Sequence, residues 1–322
     1  MSTQDDTRQI LIDTAERIFS DHCDKGLLDA AERGEFSAAL WATLRENGFH
    51  ELAMRDSGVP LGDAFAVIQT AARHAVPLPL TEILLANRWL GASDRLGTVG
   101  HLDGVAVVDV PWGRSAEVVL GLEPGEGGGL VVAPGGAATT AGQNMAGEAR
   151  DVVAVPAGAT RIDPAEPAFE LLALGRTVAM AGALQRILAL ALQYANEREQ
   201  FGRSISKFQA IQHNLAVVAG EVAAATRATD AAIDALETER FALEVAAAKS
   251  RVGEAAGIVA EIAHQVHGAM GYTHEHTLHH FTRRAWAWRD EFGNESWWQQ
   301  RLGRHLAAVG ADGLWNFLAT RG

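Results

Sequence analysis

The sequence predicts a mainly α protein with a small central β domain. It assigns a helical N-terminal domain to 1–100, a reduced β domain to 101–167 and a helical bundle to 168–322. Three observations predict this. Apolar residues recur at helical spacing toward both ends of the chain. The middle holds short β-branched runs broken by proline and glycine. The C-terminal apolar stripes are far longer than the usual helix of about 11–12 residues.

Taken in order, Leu11, Ala15 and Ile18, then Phe36, Leu40 and Leu44, mark the first helical faces. A further helix runs from Asp63 toward His74 and stops before Pro77 and Pro79, because proline lacks the donor that a helix interior needs. Thr81–Leu90 resumes as a short apolar helix. Runs beginning at Val105, Val118, Leu130 and Val152 read as strands, separated by Pro111, Pro124, Pro134 and a glycine-rich stretch over 125–136. That stretch is a turn-rich loop, since it has neither GxxxxGK[ST] nor a GxGxxG opening a helix. The last part carries three stripes: Val178 to Ala195, Phe208 to Leu236, and Val245 to Val266. Long alanine-rich stripes of this kind pack side by side as a bundle.

Composition narrows the function classes. The 322 residues are 48% hydrophobic and 21% charged, the make-up of a globular chain with a sizeable core. The net charge of −13 argues against nucleic-acid binding, which usually needs a basic patch. Cys23 is the single cysteine, so no internal disulfide forms, which fits a reducing compartment. The N-terminus has no basic segment before an apolar run, and charges interrupt the apolar runs before about 18 residues. No signal peptide or membrane span is expected, and a cytoplasmic location is.

Four segments have the residue types for chemistry. In Tyr194–His213 a helix ends near Glu199, a Phe-Gly turn follows, and Ser204 or Ser206 is placed to cap the next helix. Arg198, Arg203 and Lys207 stand around the turn, a basic knot suited to a phosphate or pyrophosphate. Solvated cations on an ordinary helix–turn–helix account for it equally well. In Gln265–Tyr272 the small residues at 268, 269 and 271 permit close backbone approach to a ligand, or form a glycine C-cap. The histidines of His274–His280 do not make HExxH, and no metal site is expected there. The tryptophans of 283–298 stack a flat ligand or, more commonly, anchor a core or subunit interface.

The stretch YANEREQFGRSISKFQAIQHNLA resembles the signature of the acyl-CoA dehydrogenase superfamily, and QVHGAMGYTHEH is similar to its Gln-x-x-Gly-Gly-x-Gly-Tyr/Phe motif. The order of helical domain, β domain and four-helix bundle also matches over nearly the whole chain. The resemblance implies FAD, an acyl-CoA substrate, a role in lipid metabolism, and electron-transfer flavoprotein as an acceptor. It implies that Arg198, Gln200 and Phe201, with Gln209 nearby, contact the FAD of a neighbouring subunit, and that Gln265, Gly268 and Ala269 contact its diphosphate or adenosine side. A homo- or hetero-tetramer with an acyl-CoA dehydrogenase homologue follows.

The chain departs from the family at the catalytic base. Register from Gly271 puts Phe292, not a glutamate, at the usual position, with Glu291 one residue early and Asp290 two. The family's other base position falls on Leu172, with Glu170 two residues away. The short β region also lacks the family's Thr/Ser-containing segments that embrace the flavin ring. Either Glu291 (failing it Asp290 or Glu170) acts as a displaced base, or the chain is a reduced subunit. Some family members, including ones acting on steroid side chains, are α2β2 assemblies in which one chain completes the FAD site in trans. A flavin-free scaffold is the contrasting expectation.

Overall fold

The computed structural model describes residues 3–125, 128–136 and 138–320. The chain begins with α1 (Thr3–His22), α2 (Lys25–Glu32), α3 (Ala38–Glu46), α4 (Leu61–Arg73) and α5 (Leu80–Leu90). Asp24 caps α2 by accepting from the Leu27 N–H at 2.8 Å, and Ser37 caps α3 by accepting from Leu40 at 3.3 Å. The prolines at 77 and 79 separate α4 from α5, as the sequence predicts.

The middle of the chain supplies β1 (Gly97–Asp103), β2 (Ala106–Pro111), β3 (Val118–Leu122), β4 (Leu130–Pro134), β5 (Ala138–Thr140), β6 (Arg150–Ala154) and β7 (Arg161–Ile162). They form one sheet in the order β5-β6-β2-β1-β3-β4-β7, antiparallel except for the parallel pair β1–β3. Sequence reading anticipates β2, β3, β4 and β6. It misses β1, where glycines flank the only β-branched pair, Thr98 and Val99, and the short strands β5 and β7. Residues 126–127 and 137 of the glycine-rich stretch lie outside the described residues.

The rest is helical: α6 (Ala168–Glu197), a two-residue-per-strand hairpin β8 (Glu199–Gln200) and β9 (Arg203–Ser204), α7 (Gln209–Asp234), α8 (Phe241–His267), α9 (Leu278–Asp290), α10 (Glu295–Val309) and α11 (Ala311–Thr320). By length and composition α6 is apolar enough to cross a membrane, but most of Ala168–Leu184 is buried inside the fold, where it serves as the bundle's central helix. Its glycines permit the closest contacts: a Cβ at Gly182 would lie 2.3 Å from the Gln69 carbonyl oxygen on α4.

The main core is continuous across all three regions. Phe19 and Phe65 from the N-terminal helices, Leu120 from the sheet, and Leu172, Val252 and Trp298 from the bundle belong to one buried cluster. The opposite sheet face has its own small cluster around Val107, Val119 and Val153. The hydrophobic effect thus holds the sheet against the bundle along one face, and the junction between them carries the charged residues described next.

Candidate functional site

The end of α6 and the end of α8 meet at one cleft of about 650 Å³. Arg198 ends α6 in an extended conformation, with its N–H still donating to the Tyr194 carbonyl at 2.9 Å. The β8–β9 hairpin turns on Phe201 and Gly202, which both have positive φ (53° and 75°), the backbone of a type I′ turn. That turn projects Phe201 outward, 90% exposed. From the other side α8 ends at Gly268, whose φ of 57° and ψ of −138° suit glycine, and where an added Cβ would meet nothing within 4 Å.

Six of the seven residues assigned to the cofactor line this cleft: Arg198, Gln200, Phe201, Gln265, Gly268 and Ala269. Gln209, the first residue of α7, is exposed and is not among the lining residues. The expected serine cap does not form. A 3-10 turn over Ile205–Lys207 intervenes, α7 starts from Phe208 with no side-chain cap, and Ser204 instead donates to the Ala195 carbonyl at 3.0 Å. Arg203 lies over the Phe208 ring, with Cζ 4.3 Å from its centre.

His267 also lines the cleft and was not anticipated. Its ring stacks on Tyr194 at 4.6 Å, and Nδ1 lies 2.7 Å from the Ala263 carbonyl oxygen. A carbonyl can only accept, so Nδ1 carries the proton and Nε2 presents a lone pair. That Nε2 is buried with no hydrogen-bond partner among the described residues. Burial pushes the His267 pKa down to about 4, against the pull of its bond to Ala263, so the ring is neutral near pH 7. A buried acceptor, an exposed guanidinium and a bare glycine suit a ligand with hydroxyls and a charged diphosphate.

The position at which the resemblance expects a base lies elsewhere, between the bundle and the sheet. Phe292 is buried with a positive φ of 55°. Its ring packs 4.8 Å from His101 and 6.1 Å from Phe169, and its carbonyl accepts from the Trp298 indole at 3.0 Å. Glu291 beside it is held by cations. Arg150 donates to Oε1 from Nε and Nη2, at 3.0 and 2.7 Å, Asn144 donates to the same oxygen at 3.1 Å, and Arg176 binds Oε2. Burial alone would raise the Glu291 pKa, but Arg150 and then Arg176 overcome it and hold the carboxyl down to about 2.

These contacts extend into an alternating chain of buried charge. Arg176 also binds Glu82, Arg150 also reaches Glu148 at 3.2 Å, and Glu148 accepts from Arg284 at 3.1 Å and from the Trp288 indole at 2.9 Å. Glu82 comes from α5, Arg176 from α6, Arg284 from α9 and Arg150 from β6, so the network ties all three regions together. The cavity inside it has a volume of only about 60 Å³. An outer cleft of about 430 Å³ is lined by His101, Phe169, Asp290, Glu291 and Phe292 among others. Asp290 is exposed there, whereas Glu170 is paired with Arg301 at 2.6 Å. The sequence does carry one signal for this network: Glu82 and Arg176 are single charges inside apolar helical runs. Of the tryptophans, Trp288 and Trp298 are core anchors rather than an open stacking surface.

Comparison with known proteins shows what the chain is similar to. The family model "Acyl-CoA dehydrogenase, C-terminal domain" matches residues 165–305. The chain is 28% identical over 304 residues to the acyl-CoA dehydrogenase IpdE2 of Mycobacterium tuberculosis, covering 88% of this chain and 92% of that protein. A Tcur3481–Tcur3483 steroid ACAD variant superposes with a TM-score of 0.85 at 23% identity, covering 96% of this chain and all of that one (100%). The ChsE4–ChsE5 complex of M. tuberculosis gives a TM-score of 0.80 at 22% identity, over 97% of this chain and 99% of that one. At those identities the two structures share the fold with this chain.

Proposed function

We propose that this chain, which matches the acyl-CoA dehydrogenase C-terminal model over residues 165–305 and resembles acyl-CoA dehydrogenases over most of its length, is a subunit of an FAD-dependent acyl-CoA dehydrogenase, completing the FAD site of a longer homologous partner while supplying no base itself. The observation that carries this reading is the capture of Glu291 by Arg150 and Arg176 beside a phenylalanine at the expected base position. A proton acceptor must reach the substrate with a free lone pair and a pKa near the working pH. Glu291 has neither, because lifting it from its place would strand two buried guanidinium groups.

The surface cleft supports the other half of the proposal. FAD bound there would supply the hydride-accepting chemistry of α,β-dehydrogenation of an acyl-CoA thioester. The chain's own residues would do the holding. Arg198, with no ion-pair partner among the described residues, would neutralise the diphosphate. Gly268 and Ala269 would let backbone approach it, and His267 Nε2 would accept from a hydroxyl. Phe201 and Tyr272 are exposed at 90% and 75%, apolar surface that fits a subunit contact near the cleft. Electron-transfer flavoprotein is the proposed acceptor.

A second reading keeps catalysis in this chain through Asp290, which is exposed at the outer cleft. Single-turnover bleaching of oxidised flavin by an acyl-CoA, in the reconstituted complex, separates the two. Asp290→Asn and Glu291→Gln on this chain are expected to leave the bleaching rate within about threefold, as general-base loss costs roughly 10²–10⁴. A hundredfold loss in either variant, in a complex that still holds its flavin, overturns the proposed role.

A further inference from the structure

The helices α2 and α9 bring together two imidazoles and a carboxylate that lie far apart in sequence. One ligand-type atom from each of Asp29, His279 and His280 lies within 4.8 Å of the others. Both histidines are buried, at 8% and 0% exposure. The Nδ1 of His280 lies 2.7 Å from Glu32 Oε1, and the Nδ1 of His279 lies 2.7 Å from the His276 carbonyl oxygen. Each neighbouring oxygen accepts, so each Nδ1 carries a proton and Nε2 is the ring nitrogen left facing the other way. Both Nε2 atoms are buried with no hydrogen-bond partner among the described residues.

His280 Nε2 faces Asp29 Oδ1 at 3.3 Å, yet the pair does not have hydrogen-bond geometry. A lone pair opposite a carboxylate is repulsive, and a proton on Nε2 would not point at the oxygen. A cation shared by Asp29, His280 and His279 removes the conflict. From these contacts we infer that Asp29, His279 and His280 form a divalent transition-metal site, with Glu32 and the His276 carbonyl as the outer groups that orient the two imidazoles.

The chemistry selects the class of ion. Two imidazoles and one carboxylate match a zinc-type site with a position left for water, rather than the all-oxygen sites of calcium or magnesium. Zinc ligands sit roughly 2.0–2.2 Å from the metal, so in a tetrahedral site any two are about 3.4 Å apart. The observed spread closes to this by side-chain adjustment. Fixing a metal-bound imidazole through its other N–H to a carboxylate or carbonyl is the usual outer-sphere arrangement. Lys25 holds Asp29 by Oδ2 and Arg283 holds Glu32 by Oε2 at 2.9 Å, which leaves Oδ1 and Oε1 turned to the imidazoles. The two cations offset the two carboxylates, favouring an ion bound through nitrogen over one bound by charge alone. An occupied site would pin α2 against α9, the helix that follows the Gln265–Tyr272 segment.

Equilibrium dialysis of the chelator-stripped full chain against zinc, with metal analysis of the protein, tests this. The expected result is one zinc per chain. His279→Asn retains a donor for the His276 carbonyl and removes Nε2; it and Asp29→Asn should each weaken binding at least about tenfold, and Glu32→Gln by roughly 10–100-fold. Cobalt loaded in place of zinc should give visible d–d absorption that His279→Asn alters. The absence of stoichiometric zinc would overturn the site, leaving His280 as a packing bridge between α9 and α2. Unchanged zinc affinity in His279→Asn would overturn it equally, and circular dichroism of the stripped variants distinguishes lost ligation from lost fold.

Discussion

Arg150 grips one oxygen of Glu291 with two nitrogens, at 2.7 and 3.0 Å, across the junction of the sheet and the bundle. The pair joins β6 to the residue that follows α9, and so fixes the approach of Phe292 to the sheet. Neither residue is more than one-fifth exposed. Their pairing is therefore a buried one, and its partners cannot be removed singly without leaving an uncompensated charge.

Glu291→Ala should accordingly destabilise the chain by about 3–5 kcal/mol, since Arg150 and Arg176 would both lose a counter-ion. Urea unfolding followed by circular dichroism measures this. A loss under about 1 kcal/mol would mean that the carboxylate contributes little to the fold, and would reopen its use in chemistry.

The acid limb of stability has a defined place. Glu32 and Glu291 have pKa values lowered from 4.5 to about 2, against the opposing effect of burial: Glu32 through His280 and Arg283, Glu291 through Arg150 and Arg176. A carboxyl whose folded pKa is depressed stabilises the native state above its unfolded pKa and loses that contribution as pH falls through the folded value. Stability should therefore be level above about pH 5 with respect to these groups and fall between about pH 4.5 and 2. Thermal melts across that range should show the fall, and Glu291→Gln should make it shallower.

Close packing of α6 on α4 gives a prediction independent of charge. At Gly182 a Cβ would sit 2.3 Å from the Gln69 carbonyl oxygen and 3.0 Å from the Ala72 Cβ. Gly182→Ala should cost about 1–3 kcal/mol, although alanine is the better helix former, because the two backbones must part. A melting temperature equal to or above that of the parent chain would show that the helices separate freely.

The helices were legible because their apolar residues repeat at 3.6, and the ends of α4 and α5 because proline and glycine mark them. β1 was hidden because glycines flank its only β-branched pair, Thr98 and Val99, and leave no recognisable run. Of the proposed cofactor cleft, the cationic and small lining residues are ones that the resemblance names. His267 was not, because a histidine inside an apolar helical stripe looks like any core residue until its unpaired nitrogen is seen. The lone charges Glu82 and Arg176 were visible, but their partners and the approach of Asp29 to His280 depend on contacts between residues 94 to 251 positions apart, which no local pattern reports.

The central claim is that the Arg198–Gln265 cleft holds FAD for a partner chain. Its most direct test is the flavin-per-complex ratio after co-expression with a longer acyl-CoA dehydrogenase homologue, using the parent chain and Arg198→Ala on this chain alone. The parent chain by itself should be colourless, its complex should hold FAD, and the variant complex should assemble but retain FAD about 10–100-fold more weakly, the loss of one charge-assisted contact of about 1.5–3 kcal/mol. Stoichiometric FAD on the isolated chain, or equal retention in the Arg198→Ala complex, would contradict the account.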